Sequence, residues 1–179
     1  MNHHFELPGT YKKWTLGLLV VGLAALLWGF IMYHPFEHAG HGENINSTRF
    51  WAVLLQNSVY WLLVVNTSMF FICITTMAHG GWQVSLRRIP EAISSLVPIL
   101  GLITLVILIA LIFGNRTDIY HWLDKEAVNN DKILYGKKGF LSPGFFLIFS
   151  VISIGLWALI GKKMRSMSLQ TDKEGHMDY

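Results

Sequence analysis

The chain has 179 residues and a formal net charge of +3; 53% of its residues are hydrophobic, 14% are charged, and its mean hydropathy is +0.43. A water-soluble domain of this size would expose far too much apolar surface with that composition, so lipid is the expected solvent. The mild positive balance calls for no nucleic-acid partner, and no basic patch with interleaved aromatics is present.

Four apolar runs, residues 14–33, 50–76, 93–113 and 141–160, contain no Lys, Arg, Asp or Glu. Each is long enough to span the roughly 30 Å of bilayer hydrocarbon, which takes about 20 residues. Continuous apolar stretches lack the alternation of a membrane barrel, and hydrocarbon leaves the backbone no other bonding partner, so the runs predict helices. The expected fold class is all-α: an integral membrane bundle of four transmembrane helices forming a single membrane domain over residues 1–179. The first run is longer than the roughly 7–15 residues of a signal-peptide core and no small-x-small cleavage site follows it. In the loop behind it, His34, His38 and His41 have spacings of four and three that suit a metal, but the loop carries Pro and Gly, and solvated histidines are the plainer reading.

Within the second run, polar side chains cost insertion energy and need partners. At 100° per residue Gln56, Tyr60 and Thr67 fall within about 40° of one another, and Asn57, Ser68 and Thr75 form a neighbouring stripe. That side is expected to face protein, through interhelical hydrogen bonds or, more sharply, as part of a proton path or a polar headgroup site. Cys73, the single cysteine, lies in the same run, which excludes a disulfide, a C-x-x-C-H haem attachment and a cysteine set for an iron–sulfur cluster. A haem b needs two histidines at one depth, whereas His34, His79 and His121 fall at different ends of the helices.

The stretch AHGGWQVSLRRIPE at 78–91 predicts a shaped turn. Pro90 suits a first helical turn, Glu91 complements the positive end of a helix dipole, and Arg87 and Arg88 lie four and three residues before Glu91, within ion-pairing reach if the helix starts early. Interfacial anchoring explains these residues; the functional alternative is that His79, Arg87 and Glu91 line the mouth of a proton half-channel, since ionisable groups at a membrane edge relay protons. Pro98 stands near the start of the third run. The loop at 114–140 carries Asp118, Asp124, Glu126 and Asp131 against five cations, and Tyr120, His121 and Trp122 are expected near the interface as an aromatic belt. Lys12, Lys13, Arg87, Arg88, Lys162, Lys163, Arg165 and Lys173 share one side; Arg49, Arg116, Lys125, Lys132, Lys137 and Lys138 share the other. The cations at the end of the fourth run place both termini in the cytoplasm and the 114–140 loop outside.

Three segments recur in order with similar spacing in one family: GGWQVSLRRIPEA at 80–92, IYHWLD at 119–124 and FLSPGFFLIF at 140–149. On these motifs, and on RSMSLQTD after the fourth run, the chain resembles the F subunit of bacterial alternative complex III over roughly residues 50–170. That subunit is related to the membrane subunits of the polysulfide reductase group. The resemblance implies a non-redox subunit of a quinol:cytochrome c or cupredoxin oxidoreductase in the bacterial inner membrane. Its partners would be a multihaem c subunit, an iron–sulfur subunit and a second, related membrane subunit that holds the quinol site. Quinol, haem c and iron–sulfur clusters would belong to those partners and no cofactor to this chain, whose part is proton conduction or scaffolding; His79, Arg87, Glu91, His121, Gln56, Tyr60 and Thr67 are the candidate proton-path residues. Family members have about ten membrane helices, so these four would be the amino-terminal portion of a longer or split subunit, or a four-helix relative with a reduced role. Phe149 stands near where a basic residue is expected. A small structural or assembly membrane protein is the alternative from another class; a transporter would show broken helices near the midplane or an internal repeat, and neither stands out in the sequence. No nucleophile constellation, phosphate loop or paired catalytic carboxylates occur.

Overall fold

The computed structural model describes residues 8–33, 45–78 and 81–174, and among them every regular element is helical. In chain order these are α1 (Gly9–Tyr33), α2 (Ile45–Met77), a 3₁₀ turn (Gly81–Ser85), α3 (Arg88–Ser94), α4 (Val97–Phe113), a second 3₁₀ turn (His121–Leu123), α5 (Lys125–Asn130), α6 (Lys132–Gly136) and α7 (Pro143–Glu174). Four stretches are long and apolar enough to cross a membrane: Gly9–Tyr33, Ile45–Met77, Arg88–Phe113 and Pro143–Gln170. The all-α, four-span fold expected from the apolar runs is the observed one. The trio His34, His38 and His41 lies outside the described residues.

The chain divides into two compact units, residues 1–51 and 52–179. In the first, α1 buries none of its residues. Phe50, at the start of α2, is its organising ring: Phe30 meets it edge-on at 6.0 Å between centroids and Tyr33 lies at 6.3 Å. A Cβ at Gly29 would stand 3.2 Å from Phe50 Cε2, so the missing side chain is what lets the ring approach.

In the second unit α4 and α7 form the main seam, with α2 against α7 beside it. The buried residues of α2 from here on include Leu62, Val65, Met69 and Ile72, which recur at three and four residues, the period of one helical stripe. Both contacts with α7 are made at small residues. A Cβ at Gly101 would collide with Ile154 Cγ2, and one at Gly161 would come within 3.2 Å of Met69 Sδ. In lipid no hydrophobic effect drives helices together, so close backbone approach at small residues supplies the van der Waals packing that does.

Two elements run beyond their expected limits. The helix drawn at 93–113 begins at Arg88 but is interrupted at Ser95–Leu96. Pro98 explains the break: it has no N–H to give the Ser94 carbonyl and its ring crowds that oxygen. The chain instead tightens, with Leu96 N–H bonding Ile93 O at 3.0 Å and Ile99 N–H bonding Leu96 O at 3.1 Å. The fourth helix continues from the expected end at residue 160 to Glu174. The segment after Ile160 has no Pro and, past Gly161, is rich in Lys, Met, Arg, Leu and Gln, which extend a helix readily. At its other end α4 closes with a Schellman motif, whose paired bonds satisfy the last carbonyls of the helix. Asn115 takes the left-handed conformation, with φ 46°. Its N–H bonds Ile112 O at 3.1 Å, and Arg116 N–H bonds Leu111 O at 3.2 Å.

Gly101→Val is expected to destabilise the α4–α7 seam by about 1–3 kcal/mol through overpacking. Ile154→Ala in the same chain should restore part of the loss, and Gly155→Ala, whose Cβ meets nothing within 4 Å, should be tolerated. Thermal midpoints of the four purified proteins in detergent check this; equal midpoints for the single and double variants would remove Ile154 as the obstacle.

Candidate functional site

The loop that carries GGWQVSLRRIPEA folds into the 3₁₀ turn and α3. Trp82 packs edge-on against Phe71 of α2, with centroids 6.1 Å apart, and Ser85 Oγ donates to Trp82 O at 3.1 Å, so the turn is pinned to the end of α2. Pro90 is the third residue of α3, in its first turn, where an N–H is not needed. Because the helix starts at Arg88, the acid one turn on comes under both arginines. Arg87 Nε donates to Glu91 Oε1 at 2.8 Å, and Arg88 Nη1 donates to Glu91 Oε2 at 2.9 Å. The carboxylate is buried, its residue 4% exposed, while the two arginine side chains remain 30% and 48% exposed. Each oxygen of the acid is thus held by a charge-assisted bond at the start of the third span. His79 lies outside the described residues.

The polar residues of α2 separate into two groups. Thr75 is buried, and its hydroxyl donates to Phe71 O at 2.8 Å; Ser68 donates to Val64 O at 3.4 Å and Asn57 Nδ2 to Val53 O at 2.8 Å. Gln56, Tyr60 and Thr67 lie on a face of α2 that the rest of the second unit leaves uncovered, Tyr60 being 59% exposed. Thr67 is satisfied by Leu63 O at 2.8 Å, whereas the Gln56 carboxamide and the Tyr60 hydroxyl have no hydrogen-bond partner among the described residues. The protein expected against that side is thus not supplied by this unit.

One residue escaped the sequence reading. Asn66 lies on the inward side of α2, and its Oδ1 is buried without a hydrogen-bond partner among the described residues. The signal was present, since a carboxamide in the middle of an apolar run must satisfy itself somewhere, but it falls on neither of the two polar stripes. Further along the helix Cys73 Sγ lies 3.4 Å from Met164 Sδ, a sulfur contact between α2 and α7.

At the other end of α4, IYHWLD and FLSPGFFLIF come together. Tyr120, Trp122 and Phe146 form a trio with centroid separations of 5.4 to 5.7 Å, and Phe145 stacks on Phe149 at 6.2 Å with Phe140 against both. Burial in this trio raises the Tyr120 phenol above its ordinary value of 10.0. His121 is exposed beside it. The whole length of α4 stands between Glu91 and His121. The sequence candidates therefore form one ion-paired cluster, one uncovered face and one separate histidine. No group of three His, Cys, Asp or Glu side chains gathers in metal-binding fashion among the described residues. Comparisons with protein-family models, curated proteins and solved structures give no match for this chain.

Glu91→Gln leaves two arginines facing a neutral amide and is expected to lower stability by about 1–3 kcal/mol, discounted from a fully buried pair because the arginines are part-exposed. A thermal midpoint in detergent equal to that of the parent protein would show that the pair contributes nothing. For Tyr120 the neutral phenol is favoured by folding. That contribution is complete below the unfolded value near 10.0 and is lost as pH rises through the raised folded value. Tyr120→Phe should accordingly show a shallower fall in midpoint between about pH 9 and 11 than the parent.

Proposed function

We propose that this chain is a non-redox, membrane-embedded subunit of a multisubunit respiratory oxidoreductase of the alternative complex III kind, acting as scaffold beside the subunits that carry quinol, haem c and iron–sulfur clusters. The observation that carries the subunit reading is the uncovered pair on α2. Gln56 and Tyr60 stand one helical turn apart within a membrane span, with a carboxamide and a hydroxyl unpartnered among the described residues. Polar groups turned to lipid are costly, and a neighbouring membrane protein that bonds them removes the cost. The absence of any buried residue in α1 fits a helix built to lie against lipid or another chain. The motif resemblance adds the kind of assembly, with the bacterial inner membrane as its place, and the cations at the end of the fourth span favour both termini in the cytoplasm.

Of the two roles the resemblance implies, scaffolding is favoured over proton conduction by the state of Glu91. Both of its carboxylate oxygens accept bonds from arginines of its own turn, an arrangement that ties the acid into the fold, and the whole length of α4 stands between it and His121.

The test is purification through a tag on this chain from the native membrane in mild detergent, with mass spectrometry of the co-purifying proteins and a haem spectrum. Multihaem c and iron–sulfur subunits are expected in the preparation. Gln56→Leu combined with Tyr60→Phe should weaken their retention roughly 5–10-fold, from about 0.6 kcal/mol per interhelical hydrogen bond, without lowering the thermal midpoint of the isolated chain. A haem-free preparation of this protein alone would sink the proposal and leave a small structural membrane protein as the reading to pursue.

A further inference from the structure

Between the second 3₁₀ turn, α5, α6 and the start of α7 lies a cleft of about 380 Å³. That volume falls in the range of small-molecule sites. Its walls are of two kinds. Leu123, Val128, Leu134, Leu141 and Pro143 make an apolar floor, and Lys125 and Lys138 stand at it as cations, with Asn129 and Ser142 adding polar groups and Trp122 one aromatic wall. No carboxylate lines it. Of the acids nearby in sequence, Asp124 Oδ1 accepts Glu126 N–H at 2.9 Å at the start of α5, Asp131 Oδ1 accepts Ile133 N–H at 2.8 Å at the start of α6, and Glu126 is exposed outside the cleft lining. Using these two acids as helix caps leaves the lysines of the cleft without an acidic neighbour in its lining.

The position of the cleft narrows the ligand. Pro143 opens the fourth span and Leu141 stands two residues before it, so the cleft lies beside the entry of a helix long and apolar enough to cross a membrane, where lipid headgroups are expected. Trp122 belongs to the aromatic trio with Tyr120 and Phe146, which fixes that wall to α7. A soluble anion would use the lysines and ignore the floor; a neutral lipid would use the floor and leave the lysines solvated. We infer that the cleft binds an anionic phospholipid, its phosphate at Lys125 and Lys138 and the first methylenes of a chain over Leu123, Val128 and Leu141. The ammonium of Lys138 lies 5.7 Å from the Tyr135 ring centroid. On binding it exchanges that cation–π contact for the phosphate.

The experiment uses the full chain, purified and delipidated in detergent, titrated with short-chain phosphatidylglycerol, short-chain phosphatidylcholine and inorganic phosphate. Phosphatidylglycerol is expected to bind roughly 10-fold or more tighter than phosphatidylcholine, and Lys125→Gln with Lys138→Gln should cut its affinity roughly 10–30-fold while Lys137→Gln leaves it unchanged. As a readout independent of the lysine variants, brominated phosphatidylglycerol should quench tryptophan fluorescence more than its phosphatidylcholine counterpart, and Trp122→Phe should abolish the difference. Equal affinity for the two lipids, binding of inorganic phosphate as tight as that of phosphatidylglycerol, or quenching untouched by Trp122→Phe would each overturn the assignment.

Discussion

Hydrocarbon gives a backbone amide or a side-chain hydroxyl nothing to bond, and the rest of the structure follows from meeting that demand inside each helix. Several Ser and Thr side chains obey it as the backbone does. Thr15 donates to Tyr11 O, Thr67 to Leu63 O, Thr104 to Leu100 O and Ser150 to Phe146 O, each one turn back along its own helix. Hydroxyls spent in this way have no proton left to donate across to another helix, so association leans on shape. That is why the α2, α4 and α7 contacts fall at Gly101 and Gly161, where a missing Cβ admits Ile154 and Met69.

The demand fails at one place along the third span, where Pro98 deprives the Ser94 carbonyl of its partner and splits α3 from α4. The split lies near the end of the span rather than at its midplane, which distinguishes it from the paired half-helices of many transporters. It also has a local use. Freed from the axis of α4, the short α3 presents Glu91 and Ser94 inward, with Ser94 Oγ bonded to Glu91 O at 3.0 Å, and both residues are buried. An acid buried at a membrane edge needs compensation, and Arg87 and Arg88 provide it from the preceding residues without help from another element.

The spans were legible because apolar runs of that length admit one solution in lipid, and the Arg87–Glu91 pairing was legible because sequence separation alone fixes which residues meet across a helical turn. Other features were hidden for identifiable reasons. The extension of α7 past residue 160 carries no apolar signal, only helix-forming composition. Helices α5 and α6 are six and five residues long, too short for periodicity, and are visible only through the Asp124 and Asp131 caps. Whether a polar stripe faces inward cannot be told from its existence: 56, 60 and 67 share a face as the spacing requires, yet the packed stripe of α2 runs through 62, 65, 69 and 72 on another side. Asn66 shows the converse, a single carboxamide turned inward without any stripe to announce it.

What the chain cannot satisfy by itself is therefore the most informative thing about it. The threonine hydroxyls of Thr15, Thr67, Thr75 and Thr104 close on their own helices, and the buried acid at one end closes on its own arginines. Among the described residues the groups left open include the buried Asn66 Oδ1, a carboxamide and a phenol on the outer face of α2, and the Lys125 ammonium in the cleft before α7, where Lys138 has only the Tyr135 ring. Gln56 and Tyr60 lie within a helix long and apolar enough to cross a membrane, and the two lysines lie beside the start of another. Open polar groups on an outward face within a span are what the proposed scaffold reading requires, since a neighbouring membrane protein that bonds them removes the cost of leaving them in lipid.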